Sequence, residues 1–98
     1  MELEYKSKSL RRICEDLAYC QKKYGLDMAK IIKRRINEIR SSKSVDFMMQ
    51  HGIGRCHALK GKRNNQYAVD LVHPFRLVFE IREEHMVIAK IIEIVDYH

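Results

Sequence analysis

Gln66–Ile81 reads QYAVDLVHPFRLVFEI, and the fall of its apolar residues decides the fold. Tyr67, Val69 and Leu71 share one face of an extended chain. After His73 and Pro74 the alternation resumes with Phe75, Leu77, Phe79 and Ile81. A period of two over runs of this length marks half-buried strands. His73 and Pro74 leave room only for a tight connection, so the two strands are antiparallel neighbours. Arg82–His85 (REEH) marks the next turn, and the run MVIAKIIEIVDYH from Met86 supplies a third strand, completing a meander.

Towards the N-terminus the period changes. Leu10, Ile13, Cys14, Leu17 and Tyr24 recur at spacings of three, four and seven, predicting one amphipathic helix closed by Gly25. Met28, Ile32, Ile36 and Ile39 form the stripe of a second helix, begun at Asp27, with Lys33, Arg34, Arg35 and Arg40 turned largely elsewhere. Leu3–Lys6 suits a short opening strand. Ser41–Ser44 (SSKS) is a polar break, and VDFMMQHGIG after it suggests one short helical turn entering a glycine-containing loop. The expected architecture is α+β, in the order βααβββ. An N-terminal strand and a helical hairpin pack on a twisted antiparallel sheet, leaving the other sheet face for a ligand.

Ninety-eight residues without an internal repeat fit a single domain spanning 1–98. At 46% hydrophobic and 33% charged, the chain is too apolar for disorder and too charged for a membrane protein. No run approaches the roughly 20 apolar residues of a spanning helix. The N-terminus lacks a signal-type apolar stretch, and Cys14, Cys20 and Cys56 are odd in number with no C-x-x-C pair. Reduced thiols and a cytoplasmic location are expected, with Cys14 a packing residue. A formal charge of +6 and a pI near 9.4 favour polyanions or an acidic protein as partner.

Three groups of residues could carry chemistry. Arg76 should point away from the helices, where a guanidinium can grip a phosphate bidentately. The segment RCHALKGKRNNQY concentrates Arg55, His57, Lys60, Lys62 and Arg63 around Gly61, and both a solvated loop and an anion cradle fit that composition. The chain ends IIEIVDYH, where Asp96, Tyr97 and His98 suit either the solvated end of a strand or a functional trio. Alternation sends Asp96 and His98 to one face and Tyr97 to the other unless a bulge intervenes. H-E-x-x-H and C-x-x-C frames are absent, so no metal or other cofactor is expected.

The stretch HALKGKRNNQYAVDLVHPFRLVFEI, followed by a strand ending VDYH, resembles the C-terminal half of the HigB/RelE toxin superfamily of type II toxin-antitoxin systems. The match is to the HigB-like (plasmid maintenance killer) branch, with its H-x-L-K-G loop, its strand carrying aromatic-R-[IL]-x-F and its terminal D-Y-H. It is specific over Cys56–His98 and compatible with the helical pair before that. The resemblance implies a RelE-like fold and a ribosome-dependent endoribonuclease, an mRNA interferase that cuts translated mRNA without a metal. It also implies neutralisation by a cognate, HigA-like antitoxin. Carried over residue by residue, it assigns His57, Lys60, Arg76, Asp96, Tyr97 and His98 to the catalytic site, with Lys60 a phosphate contact, and puts Lys62 and Arg63 where the family is basic but not fixed. By their charge, Arg55, Lys62 and Arg63 are expected to bind the RNA backbone.

Those residue types suit the chemistry. Cutting RNA without a metal requires removal of the 2′-OH proton, protonation of the departing 5′-oxygen and neutralisation of charge on the transition state. His57 and His98 are the acid–base candidates, while Arg76 and Lys60 hold the phosphate. Two rivals remain: a ParE-like relative that inhibits DNA gyrase and needs no acid–base pair, and a non-catalytic RNA-binding module.

Overall fold

The computed structural model describes residues 1–61 and 63–96. The chain opens with β1 (Glu2–Tyr5) and enters the helical layer at Ser7, whose hydroxyl accepts a hydrogen bond from the Leu10 amide at 3.1 Å. α1 (Lys8–Glu15) buries Leu10, Ile13 and Cys14, and α2 (Leu17–Tyr24) buries Cys20. The apolar spacing predicts a single helix here, and Asp16 divides it. Its backbone leaves the helical region (φ −109°, ψ 99°), and its carboxylate accepts from the Tyr19 amide at 3.0 Å. One residue thus closes α1 and caps α2, because a short side chain that satisfies an orphan amide competes with the helical backbone.

Gly25 ends α2 at φ +88° and leads directly into α3 (Leu26–Ser41), which buries Met28, Ala29, Ile32, Ile36 and Ile39. Ser44 caps α4 (Val45–Gln50) by accepting from the Phe47 amide at 3.1 Å, and a 3₁₀ turn follows at Ile53–Arg55. The loop expected next contains a two-residue edge strand, β2 (His57–Ala58). The meander then forms as β3 (Gln66–Asp70), β4 (Phe75–Glu83) and β5 (Val87–Asp96).

The strands lie in the order β1-β5-β4-β3-β2. β3 to β5 pair antiparallel, as the alternation predicts, and the unexpected β2 pairs antiparallel with β3, but β1 joins β5 in parallel, so the sheet is mixed rather than wholly antiparallel. Physically, the intervening helices carry the chain over one face, so β1 comes to lie beside the last strand. Between β4 and β5 the register steps from Val78 opposite Glu93 to Phe79 opposite Ile91, leaving Ile92 as the extra residue of a β-bulge.

Leu77, Phe79, Val69, Ala89 and Ile91 are fully buried and belong to one core cluster with Ile32, Ile36, Ile39 and Met48 of the helical layer. The opposite sheet face carries Arg76, Glu80 and Arg82, as the alternation predicts, and Asp70 beside them. Its centre is closed, however: Ala68 and Val78 there are also fully buried. Their in-register neighbours on that face are His57 and Glu93. At the other edge the Tyr5 hydroxyl donates to the Glu15 carboxylate, which also receives Arg40 Nη2 at 2.8 Å, tying β1 to α1 and α3.

Cys14, Cys20 and Cys56 are buried free thiols. Burial, with smaller contributions from Cys20 and Glu15, pushes the Cys14 thiol up to about 12, and burial pushes Cys56 up to about 11. Neither is a nucleophile at neutral pH. Among the described residues no helix is long and apolar enough to cross a membrane.

Candidate active site

The site is assembled where the 3₁₀ turn meets the ends of β3 and β4. Gly54 (φ +58°) and Arg55 (φ +53°) are both left-handed, which folds the chain back against α3. The approach at Gly54 is close: a Cβ there would lie 2.9 Å from Arg35 Nε, 3.0 Å from its Cδ and 3.1 Å from Val69 Cβ. Beneath the turn, Arg35 donates from Nε to the Asp70 carbonyl at 2.6 Å and from Nη1 to Glu38 Oε1 at 2.8 Å. α3 is thereby fastened to the end of β3.

Asp70 was not a candidate on the sequence, where it reads only as the polar step in AVDLV. In the fold it stands between two cations, with Oδ2 3.3 Å from Arg55 Nε and Oδ1 3.5 Å from Arg76 Nε. Asp70 and Arg76 are cross-strand partners, so the backbone register itself brings their side chains to one face. One carboxylate against two guanidiniums leaves the cluster net positive, which suits a phosphate.

His57 lies on the same face. Its partner on β3 is Ala68, two residues from Asp70. The β2–β4 separation is two strand spacings, about 9.5 Å, and the offset along the strands is about 7 Å. His57 Nδ1 lies 3.0 Å from the Arg55 carbonyl oxygen. A carbonyl can only accept, so Nδ1 carries a proton, and in the neutral form of the ring the lone pair is on Nε2. Among the described residues Nε2 has no partner.

The remaining candidates divide. Arg63 reaches across the same face to Glu93, Nη2 to Oε1 3.2 Å, and Lys60 is exposed on the loop before Gly61. Asp96 is not brought onto this face. The Ile92 bulge reverses the alternation, so Asp96 pairs with Phe75 on the helix-facing side at the sheet's end. Lys62, Tyr97 and His98 lie outside the described residues. The arrangement therefore unites His57, Arg55, Arg76 and Arg63 on one face, with Asp70 as the organising anion. No three His, Cys, Asp or Glu side chains among the described residues are grouped to hold a metal.

This α+β arrangement is the fold of the RelE/ParE-like toxins. A solved structure of a YoeB/ParE toxin from Agrobacterium tumefaciens matches it with a TM-score of 0.68 at 16% identity, over 100% of both chains. No family model matches the sequence, and neither does any curated protein.

Proposed function

We propose that this chain is the toxin of a type II toxin-antitoxin system, a HigB-like mRNA interferase that cuts translated mRNA on the ribosome. In this reading it acts in the cytoplasm as one domain and is silenced by a cognate, HigA-like antitoxin. The observation that carries the reading is His57. It is held by the Arg55 carbonyl with Nε2 as the basic nitrogen, on the face that also carries Arg76. The shared fold with a protein described as a YoeB/ParE toxin supports the toxin class.

The chemistry follows from those groups. His57 Nε2 takes the 2′-OH proton as the 2′-oxygen attacks phosphorus, and the 5′-oxygen leaves with a proton supplied by a second acid. The products are a 2′,3′-cyclic phosphate and a 5′-hydroxyl end. Arg76, held by Asp70, and Lys60 balance the charge that grows on the phosphoryl oxygens. His98 is the candidate acid, with Asp96 and Tyr97 near it in sequence as supporting groups. Arg55, Lys62 and Arg63 bind the backbone.

The test is a purified translation reaction containing EDTA-treated protein in catalytic amount, with cuts mapped by primer extension. Cuts within codons that depend on ribosomes are expected, and His57→Ala should slow them about 10²–10⁴-fold, as loss of a general base does. Binding of RNA that persists without cutting would reduce the chain to a binding module. Trapped gyrase–DNA complexes without cuts would make it a ParE-like inhibitor.

A further inference from the structure

Most of the chain's net positive charge lies outside the segment that carries the candidate site. Residues 6–43 hold twelve Lys and Arg against four Asp and Glu, a net of +8, whereas residues 44–98 hold seven of each. The first five residues add only Glu2 and Glu4. The long-range field that draws in a polyanion therefore comes from the helical layer.

Two open cavities join that layer to the site. One, of about 430 Å³, is lined by Arg34, Arg35, His51, Gly54, Arg55 and Asp70, and so opens onto the ion cluster itself. The other, of about 630 Å³, runs along α3 and α4 past Lys30, Lys33, Arg34, Asn37 and Phe47. Arg34, Glu38 and Ile53 line both, so the two adjoin as the halves of a groove.

Its far half has the chemistry of a nucleic-acid surface. Lys30 and Lys33 make no ion pair among the described residues, and Arg34 is 69% exposed with only a 3.4 Å contact to Glu38. Lys30 and Arg34 are one helical turn apart, about 6 Å along the axis, close to the step between phosphates of an extended strand. Phe47 sits among these cations with the His51 ring 4.3 Å away and the Lys43 ammonium 5.5 Å from its centroid. An aromatic ring flanked by exposed cations can stack a base while the cations neutralise its phosphates.

We infer that this groove, crossing the 3₁₀ turn from Arg55 to α3 and α4, is the track of the RNA strand beyond the bond to be cut. Phosphates lie along Arg34, Lys33 and Lys30, with a base against Phe47. The inference rests on the nuclease reading for the identity of that strand, and an acidic polypeptide is the rival occupant. The aromatic pair favours RNA.

The experiment uses the full chain carrying His57→Ala, so that RNA stays intact, and measures anisotropy of a labelled oligouridylate of about 12 nucleotides across about 50–200 mM salt. Lys30→Gln with Lys33→Gln should lower the slope of log affinity against log salt by about 1.4, two single-strand phosphate contacts' worth. At about 0.1 M salt that amounts to roughly 25-fold weaker binding. Lys22→Gln with Lys23→Gln, in the last turn of α2, should leave the slope unchanged, and a trinucleotide should not distinguish the Lys30/Lys33 pair from its parent. An unchanged slope, an equal fall in the control, or loss of polyglutamate binding without loss of RNA binding would overturn the track. Failure of the two readings is separable: a cutting enzyme with an unchanged slope refutes the track alone. The predicted slope loss in a chain that cuts no message refutes the nuclease alone.

Discussion

Replacing Gly54 with alanine tests the joint that positions the site, and Gly52 provides the control within the same turn. Both glycines are left-handed, at φ +58° and +64°. A side chain at either therefore meets the same backbone penalty, about 1–2 kcal/mol. Only Gly54 has neighbours for the new methyl group, with Arg35 and Val69 at 2.9–3.1 Å, whereas nothing lies within 4 Å of a Cβ at Gly52. Val69 is fully buried, and Arg35 is only 13% exposed and bonded at both Nε and Nη1, so neither yields by turning into water. Overpacking adds about 1–3 kcal/mol. Gly54→Ala should thus cost about 2–5 kcal/mol in all and Gly52→Ala about 1–2. Urea unfolding followed by far-UV circular dichroism reads the difference as a lower midpoint with an unchanged slope. On an Arg35→Ala background the extra cost of Gly54→Ala should shrink by about 1 kcal/mol or more, the mark of two residues in contact. Equal midpoints for the two alanine variants would refute the close approach, and with it the account of how α3 holds Arg55 and Asp70 in place.

Two further outcomes follow from the same geometry. Asp16→Ala should lower stability by about 1 kcal/mol through loss of the α2 cap, as should Ser44→Ala at α4, and a neutral result at either would mean the capping bond contributes nothing. The buried thiols predict an alkaline limit. Unfolded thiols ionise near 9, but Cys14 and Cys56 resist to about 12 and about 11, so their contribution is whole below pH 9 and lost as pH rises through 11–12. By about pH 10.5 the loss should reach about 2 kcal/mol per thiol, and the urea midpoint of Cys14→Ala should fall less steeply with pH than that of the parent. Parallel pH profiles would count against the buried placement of Cys14.

What the sequence reveals here follows from how local each signal is. The faces of β3 and β4 were legible because alternation is a property of the chain itself, and Leu77, Phe79 and Val69 are buried as the pattern requires. The division at Asp16 was not, since apolar spacing continues across it and only the side chain's bond to the Tyr19 amide breaks the helix. Asp70 was overlooked for a different reason. Its role exists only once β3 pairs with β4 and a left-handed turn delivers Arg55, and both are long-range events.

Ile92 marks the furthest point that pattern can reach. In AKIIEIV two isoleucines stand side by side, and either could be the extra residue as far as hydrophobicity is concerned. Pairing Glu93 with Val78 and Ile91 with Phe79 settles the choice, because it buries Ile91 in the core and leaves Glu93 on the polar face within 3.2 Å of Arg63. The same choice moves Asp96 across the sheet from Arg76 to Phe75. Ile92 is thus the residue that lets both halves of β5 keep their faces. Deleting Ile92 should therefore straighten the ladder and leave Ile91 opposite Phe79, Glu93 opposite Val78 and Asp96 opposite Phe75. The identity of the site thus depends on strand register as much as on the residues that line it.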